Sequence, residues 1–278
     1  MISDRLPLVP RDILDDRLIG SLHLRTLTRD GFRAAPTHRH QAFQVGTISG
    51  LLHGNYAGEM PLSELLAHGN FGIGTLEELD GELIVLDGEP FAARASGVVD
   101  PVAPTTLIPF AVLCPFQPQV SWDIHTPAEW KEFTRAIDAH VPAQTPIVAL
   151  RIDGAFSHLH LRSVHRQHPP YPPLTEVVQH QVEWHLPQAT GTLVGFRFPG
   201  EIADIEIPGF HLHFVSDDRT QGGHVISVTC AHGRISVDYG SDLLLESDGA
   251  RAASALDALT TDVLTQIEGD HTAPHGDA

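Results

Sequence analysis

Nineteen histidines in 278 residues is a high count, and three pairs of them stand at His-x-His spacing: His38/His40, His158/His160 and His211/His213. On an extended strand, residues i and i+2 face the same way, so any such pair borne on a strand could grip one cation. Context separates the three. His38 and His40 lie in APTHRHQAF, a polar stretch near a turn, and read as solvated. In SHLHLRS, His158, His160 and Arg162 share one face and Leu159 and Leu161 the other. An arginine beside a metal is electrostatically poor, so this face reads as polar rather than metal-binding.

The third pair differs. In GFHLHFV, His211 and His213 share a face, with Phe210, Leu212 and Phe214 on the other. After a turn over 216–223, Gly222-Gly223-His224 opens another strand-like run, VISVT. Two adjacent strands joined by that turn would bring His224 back towards the pair. Three neutral imidazoles with a position left open form the pattern of a catalytic rather than a structural zinc. The same spacing occurs in cupin-type barrels, and by chance in a histidine-rich chain. Spacing alone therefore leaves the metal open.

The elements that must carry these residues are mostly strands. AFQVGTIS (42–49), 83–86, 91–95 and 107–114 read as strands, separated by Gly and Asp-Gly turns. Met60 to His68 reads as a short helix closed by Gly69. Thr126-Pro127-Ala128-Glu129 reads as a capped helix start, followed by Trp130, Phe133, Ile137 and Val141 at helical spacing. Beyond Pro142 and Pro146 come strands at 147–152, ending in Asp153-Gly154, and at 156–164. A loop at 165–173, a helix at 175–185, strands at 192–198, 202–207, 210–215 and 225–229, and a closing helix at 252–267 complete the chain. This predicts an α+β fold of two β-rich domains with mixed or antiparallel sheets and a few flanking helices. The division runs as an N-terminal arm at 1–20, one domain at 21–145, and a second at 146–278 carrying the histidines.

Composition narrows the chemistry. Seventeen basic against 35 acidic residues give a net charge of −18, and no Lys/Arg cluster breaks it, so a nucleic-acid footprint is missing. An anionic substrate would need a local positive centre, a metal or a positioned arginine. Lys131 is the sole lysine and sits on an amphipathic helix beside Glu132, which argues against Schiff-base and pyridoxal phosphate chemistry. Cys114 and Cys230 are too few for a disulfide framework or a cysteine zinc site. Residues 1–20 lack the apolar run of a signal peptide, and no stretch of eighteen apolar residues occurs; the expectation is a cytoplasmic protein.

Longer motifs carry a resemblance. FQVGTISGLLHGNYAG, HGNFGIGTLEELDGELIVLDGE, ALRIDG (149–154), RSVHRQHPPYPP (162–173), GTLVGFRFP (191–199) and GFHLHFVSDDRTQGGHV (209–225) together resemble the acetolactate decarboxylase family, from about Phe43 to about Asp238. Gly46, where the family commonly has serine, and the run His168-Pro169-Pro170-Tyr171 depart from its pattern. The resemblance implies conversion of 2-hydroxy-2-methyl-3-oxobutanoate to acetoin and carbon dioxide, with Zn2+ on His211, His213 and His224. It further implies that Glu82 of the GEL segment and Arg162 belong to the site, that Glu268 in QIEGD completes it, and that Thr75 lines the pocket. Homodimers are implied too.

That chemistry suits the residues. Loss of carbon dioxide leaves an electron pair, and the substrate carries its own sink, a ketone β to the carboxylate. A metal chelating the ketone and hydroxyl oxygens would stabilise the enediolate, so no organic cofactor is needed. GNFGIG (69–74) supplies no Gly-x-Gly-x-x-Gly at a strand-to-helix turn. Arg162 can clamp the carboxylate, and Glu82 can hold the hydroxyl or move a proton. The competing readings are a cupin-like metal dioxygenase and a non-catalytic metal or small-molecule sensor.

Overall fold

The structure is a computed structural model and describes residues 10–126 and 128–246. One sheet has nine strands in the order Ile13–Ile19, Leu22–Leu27, Asp242–Glu246, Gln41–Val45, Phe110–Cys114, Phe71–Thr75, Glu82–Leu86, Glu89–Ala93 and Val99–Pro101. Its neighbours are antiparallel except at Asp242–Glu246, which runs parallel to the strands on both sides. The second sheet runs Val120–Ile124, Gly222–Gly240, Gly209–Ser216, Ala189–Phe198, Ile147–Ser163 and Val182–Leu186, with Ala128–Glu129 joined to the Gly222–Gly240 strand. Ile147–Ser163 also pairs directly with Gly222–Gly240, so four strands form a hydrogen-bonded circuit that closes on itself. The α+β expectation holds.

Sheet membership does not follow a single cut in the chain near 145. Val120–Ile124 and the helix Trp130–His140 precede that point yet pack on the second sheet, while Asp242–Glu246 returns to the first. Within the expected arm, Ile13–Ile19 is an edge strand paired with Leu22–Leu27. Residues 1–9, the expected helix at 252–267 and Glu268 lie outside the described residues. Among the described residues, no helix is long and apolar enough to cross a membrane.

The sheets pack face to face because each alternates. Phe71, Ile73, Ile84 and Leu86 of the first sheet meet Ala149, Val194, Phe196 and Val215 of the second in one buried cluster. The in-between residues, Leu83 and Val85, face the opposite way into a separate cluster under the helices Arg29–Ala34 and Leu62–Leu65. On the far side of the second sheet, Phe133 and Ile137 cover Leu150, Leu212 and Phe214. Each such fully buried side chain contributes ~1.5–3 kcal/mol.

Several local expectations are corrected. The strand read over 42–49 ends at Val45; Gly46 turns at φ +69°, and Thr47 caps a short helix, Ile48–Leu52, by accepting the Gly50 N–H at 3.0 Å. Asp153-Gly154 is no strand end. Gly154 stands opposite Gly191 on one neighbour and Gly233 on the other, and a Cβ there would lie 2.5 Å from the His232 carbonyl. Glycine here permits close strand approach rather than a turn. The Trp130–His140 helix begins at Glu129, whose N–H donates to the Glu132 carboxylate at 2.7 Å. Thr126 is not its cap, because Ala128 and Glu129 are drawn into register with Cys230 and Thr229.

Three further segments differ. Residues 202–207 form a 3-10 turn (Gly200–Ile202) and loop instead of a strand. The helix read over 175–185 is two short turns, Leu174–Val177 and Val178–His180, and then the strand Val182–Leu186 claims the rest by pairing with Ile147–Ser163. The helix read over 60–68 shortens to Leu62–Leu65, since Met60–Pro61 pairs with Leu107–Ile108.

Candidate metal centre

His211 and His213 alternate with Phe210, Leu212 and Phe214. Those three belong to the far cluster, so the imidazoles face the first sheet. His224 stands directly across from His213 in the antiparallel register, and Arg162 directly across from His224 on the next strand. The ring centroids of His211 and His213 are 5.0 Å apart, those of His211 and His224 5.0 Å, and those of His213 and His224 5.4 Å. One nitrogen from each ring lies within 4.8 Å of the others, a group that could hold a metal ion. All three are buried, at 6%, 0% and 3% exposure.

Burial also sets their protonation. It is the main cause that lowers His211 to about 3, and the Arg162 charge adds to it. His213 is held well below the ordinary value by burial first and by His211 next. Both are neutral at pH 7, as a metal requires. The Leu83 carbonyl can only accept, so at 2.9 Å it takes the Nδ1–H of His213 and fixes that tautomer. The lone pair is thereby left on His213 Nε2, which lies 3.2 Å from His211 Nε2. Three imidazole nitrogens, with no cysteine among them, form a donor set of the kind that transition metals, zinc included, accept.

From the first sheet come the remaining polar groups. Glu82 leads the strand on which Ile84 and Leu86 face the second sheet, so its side chain points the same way; its Oε2 lies 3.5 Å from His213 Nε2. Thr75 pairs with Glu82 across the sheet and donates its hydroxyl to the Gly81 carbonyl at 3.1 Å. Arg162 is 7% exposed; its Nη1 donates to Gln181 Oε1 at 2.8 Å and its Nη2 to the His224 Nε2 lone pair at 3.1 Å.

These groups share a cavity of about 70 Å³. Thr75, Glu82, Arg162, His211 and His224 line one part, and Ile48, Leu51, Phe110, Leu174, Val178 and Ile207 line the other. Every predicted site residue within the described residues therefore comes to one place; Glu268 lies outside them. Absent from the sequence reading are the apolar wall and Gln181. Thr47 before ISGLL was a cap signal that would have found the helix carrying Ile48 and Leu51. Phe110 and Ile207 gave no signal beyond hydrophobicity. The other pairs stay apart: His38 is exposed, His40 bonds Asp238, and His160 bonds Glu183 at 2.8 Å.

Comparison with known proteins agrees with this geometry. The family model described as alpha-acetolactate decarboxylase matches residues 42–253. An alpha-acetolactate decarboxylase of Methylococcus capsulatus is 38% identical over 233 residues, covering 84% of this chain and 90% of the relative. That of Klebsiella aerogenes is 40% identical over 191 residues, 69% of this chain and 74% of the relative. The crystal structure of alpha-acetolactate decarboxylase from Bacillus subtilis strain 168 superposes with a TM-score of 0.78 at 33% identity, covering 82% of this chain and 99% of that one. With the matched region spanning both sheets and all three buried imidazoles, the chain belongs to the alpha-acetolactate decarboxylase family.

Proposed function

We propose that this chain decarboxylates 2-acetolactate to acetoin and carbon dioxide at a zinc ion held by His211, His213 and His224. The observation that carries the reading is the buried imidazole triangle opening onto a cavity that also holds a carboxylate and a guanidinium. When bound there, zinc supplies a Lewis acid for the ketone and hydroxyl oxygens of the substrate.

The protein groups supply the rest. Arg162 binds the substrate carboxylate, a role supported by its place in the cavity and by donors that form a rigid fork. Its Nη2 donates to His224 Nε2 at 3.1 Å, and with a metal held by the histidines that donor would turn to the substrate carboxylate. Cleavage of the bond to the carboxylate carbon sends its electron pair towards the ketone, and carbon dioxide leaves. A proton must then reach the same carbon, and Glu82, facing the histidines, is the acid proposed to deliver it. Thr75 lines the substrate pocket, and Glu268 is assigned to the site on the family resemblance alone. The apolar wall receives the methyl groups and excludes water.

In the same reading the enzyme is a cytoplasmic homodimer acting on a small molecule, without nucleic acid or membrane, and its second domain carries the metal. Light scattering reads the oligomer. The deciding experiment is a colorimetric acetoin assay on purified protein, run anaerobically, before and after chelation and after zinc restoration. Activity lost on chelation and restored by zinc supports the proposal. Full activity in the chelated protein, full activity of His213→Ala, or a requirement for oxygen overturns it.

A further inference from the structure

From Arg162 a run of polar contacts leads away from the cavity. Its Nη1 donates to Gln181 Oε1 at 2.8 Å, Gln181 Nε2 donates to Glu183 Oε1 at 2.6 Å, and His160 Nε2 donates to Glu183 Oε2 at 2.8 Å. His160 stacks on His185, with centroids 4.1 Å apart. The register accounts for the run: Arg162 is paired with Glu183 and His160 with His185 on adjacent antiparallel strands. Gln181 caps the short turn Val178–His180 and immediately precedes this edge strand, its N–H bonded to the Val178 carbonyl at 3.2 Å. Val178 itself lines the cavity.

We infer that Gln181 is a positioning residue that aims the Arg162 guanidinium at the substrate carboxylate, anchored from outside by Glu183 and His160. The inference rests on the carboxylate-binding role proposed for Arg162. An amide is suited to the task because it has both polarities: its oxygen accepts from the arginine while its nitrogen donates to Glu183. A guanidinium on a long flexible stem loses rotamer freedom when it is fixed, and one held in advance loses less on binding. The run also gives His160, on the same strand face as Arg162, a part in holding the site although only Arg162 enters it. Consistent with a structured anchor, Glu183 is held below the usual carboxylate range, by Gln181 first and also by His160.

The test compares Gln181→Met, which keeps the length and removes both bonds, with Gln181→Glu, which restores an acceptor for Arg162. Steady-state kinetics on 2-acetolactate, zinc content and thermal unfolding are read together. A bond to a charged donor sets the scale: KM rises about tenfold in Gln181→Met and kcat changes less, at unchanged zinc content and Tm. Gln181→Glu returns KM to within about threefold of the parent. If Gln181→Met does not fold, Glu183→Met on the exposed strand raises KM in the same sense. Arg162→Lys separates the two ideas. If that control raises KM steeply while Gln181→Met leaves it unchanged, the positioning role is overturned and the Arg162 reading stands. If Arg162→Lys itself leaves KM unchanged, both fall.

Discussion

In metal-free protein, lowering the pH should destabilise the fold through its buried imidazoles. His211 is held at about 3 in the folded chain against an ordinary 6.5, because burial and Arg162 oppose its charge. The unfolded chain therefore binds a proton that the folded chain refuses. Stability is full above pH 6.5 and is lost as pH falls from there towards 3, at ~1.36 kcal/mol per pH unit for one such group. Between pH 6.5 and 4.5 that amounts to roughly 2.7 kcal/mol from His211 alone. His213 acts in the same direction. Other groups titrate over this range, so the informative quantity is the difference between the parent and His211→Gln, whose side chain carries no proton-binding nitrogen. Urea unfolding of chelator-treated protein at pH 7.5 and 4.5 measures it. The parent should lose about 2–3 kcal/mol more than the variant. The depression of His213 owes part of its size to His211, so its partial relief in the variant widens the gap. Equal losses in the two proteins would refute the argument that these imidazoles are buried and neutral.

Arg162→Lys keeps the charge but loses the planar fork and the Gln181 bond, and should lower kcat/KM by ~10²–10³-fold in the acetoin assay; a drop below threefold contradicts the clamp. Glu82→Gln keeps shape and removes the acid; kcat should fall ~10²–10⁴-fold with zinc content intact, and an unchanged kcat would transfer proton delivery to another group. Gly46→Ser should destabilise this chain by roughly 1–3 kcal/mol in thermal unfolding. Gly46 has φ +69°, and a Cβ there would lie 2.0 Å from the Pro109 carbonyl oxygen. An unaltered Tm would mean the turn relaxes freely.

The legible part of this molecule is the part governed by a period of two. Alternation in GFHLHFV put the two histidines on one face, and a short turn put His224 opposite them; both follow from strand geometry and need no knowledge of the partner sheet. Glu82 was illegible by the same logic, since Glu77, Glu78 and Asp80 surround it in sequence and nothing local says which carboxylate is drawn inward. The second sheet decides, by covering the face that Ile84 and Leu86 share with it. Asp153-Gly154 misled for a related reason. The dipeptide has turn chemistry, but Gly191 and Gly233 lie on either side of it, and only the assembled sheet shows three glycines in a row. Short helices such as Ile48–Leu52 are hidden differently: five residues give too little periodicity, and a cap is the only local signal.

The centre lies across the contact between two sheets rather than within one. The second sheet carries the three imidazoles and Arg162; the first carries Glu82 and Thr75. A bond from His213 Nδ1–H to the carbonyl of Leu83, the residue next to Glu82, ties the halves together. The backbone that orients the His213 imidazole is thus continuous with the backbone that presents the Glu82 carboxylate. A shift of the Glu82–Leu86 strand would turn the ring and withdraw the Glu82 carboxylate together. Such a strand is held by pairing on both sides, to Phe71–Thr75 and Glu89–Ala93, and by Ile84 and Leu86 in the inter-sheet core. Truncating Ile84, far in character from any acid or ligand, should therefore lower activity as well as stability, whereas truncating Phe133 on the far side of the second sheet should lower stability alone. Equal effects of the two truncations on the kcat of folded, zinc-loaded protein would show that the sheet contact does not set the geometry of the site.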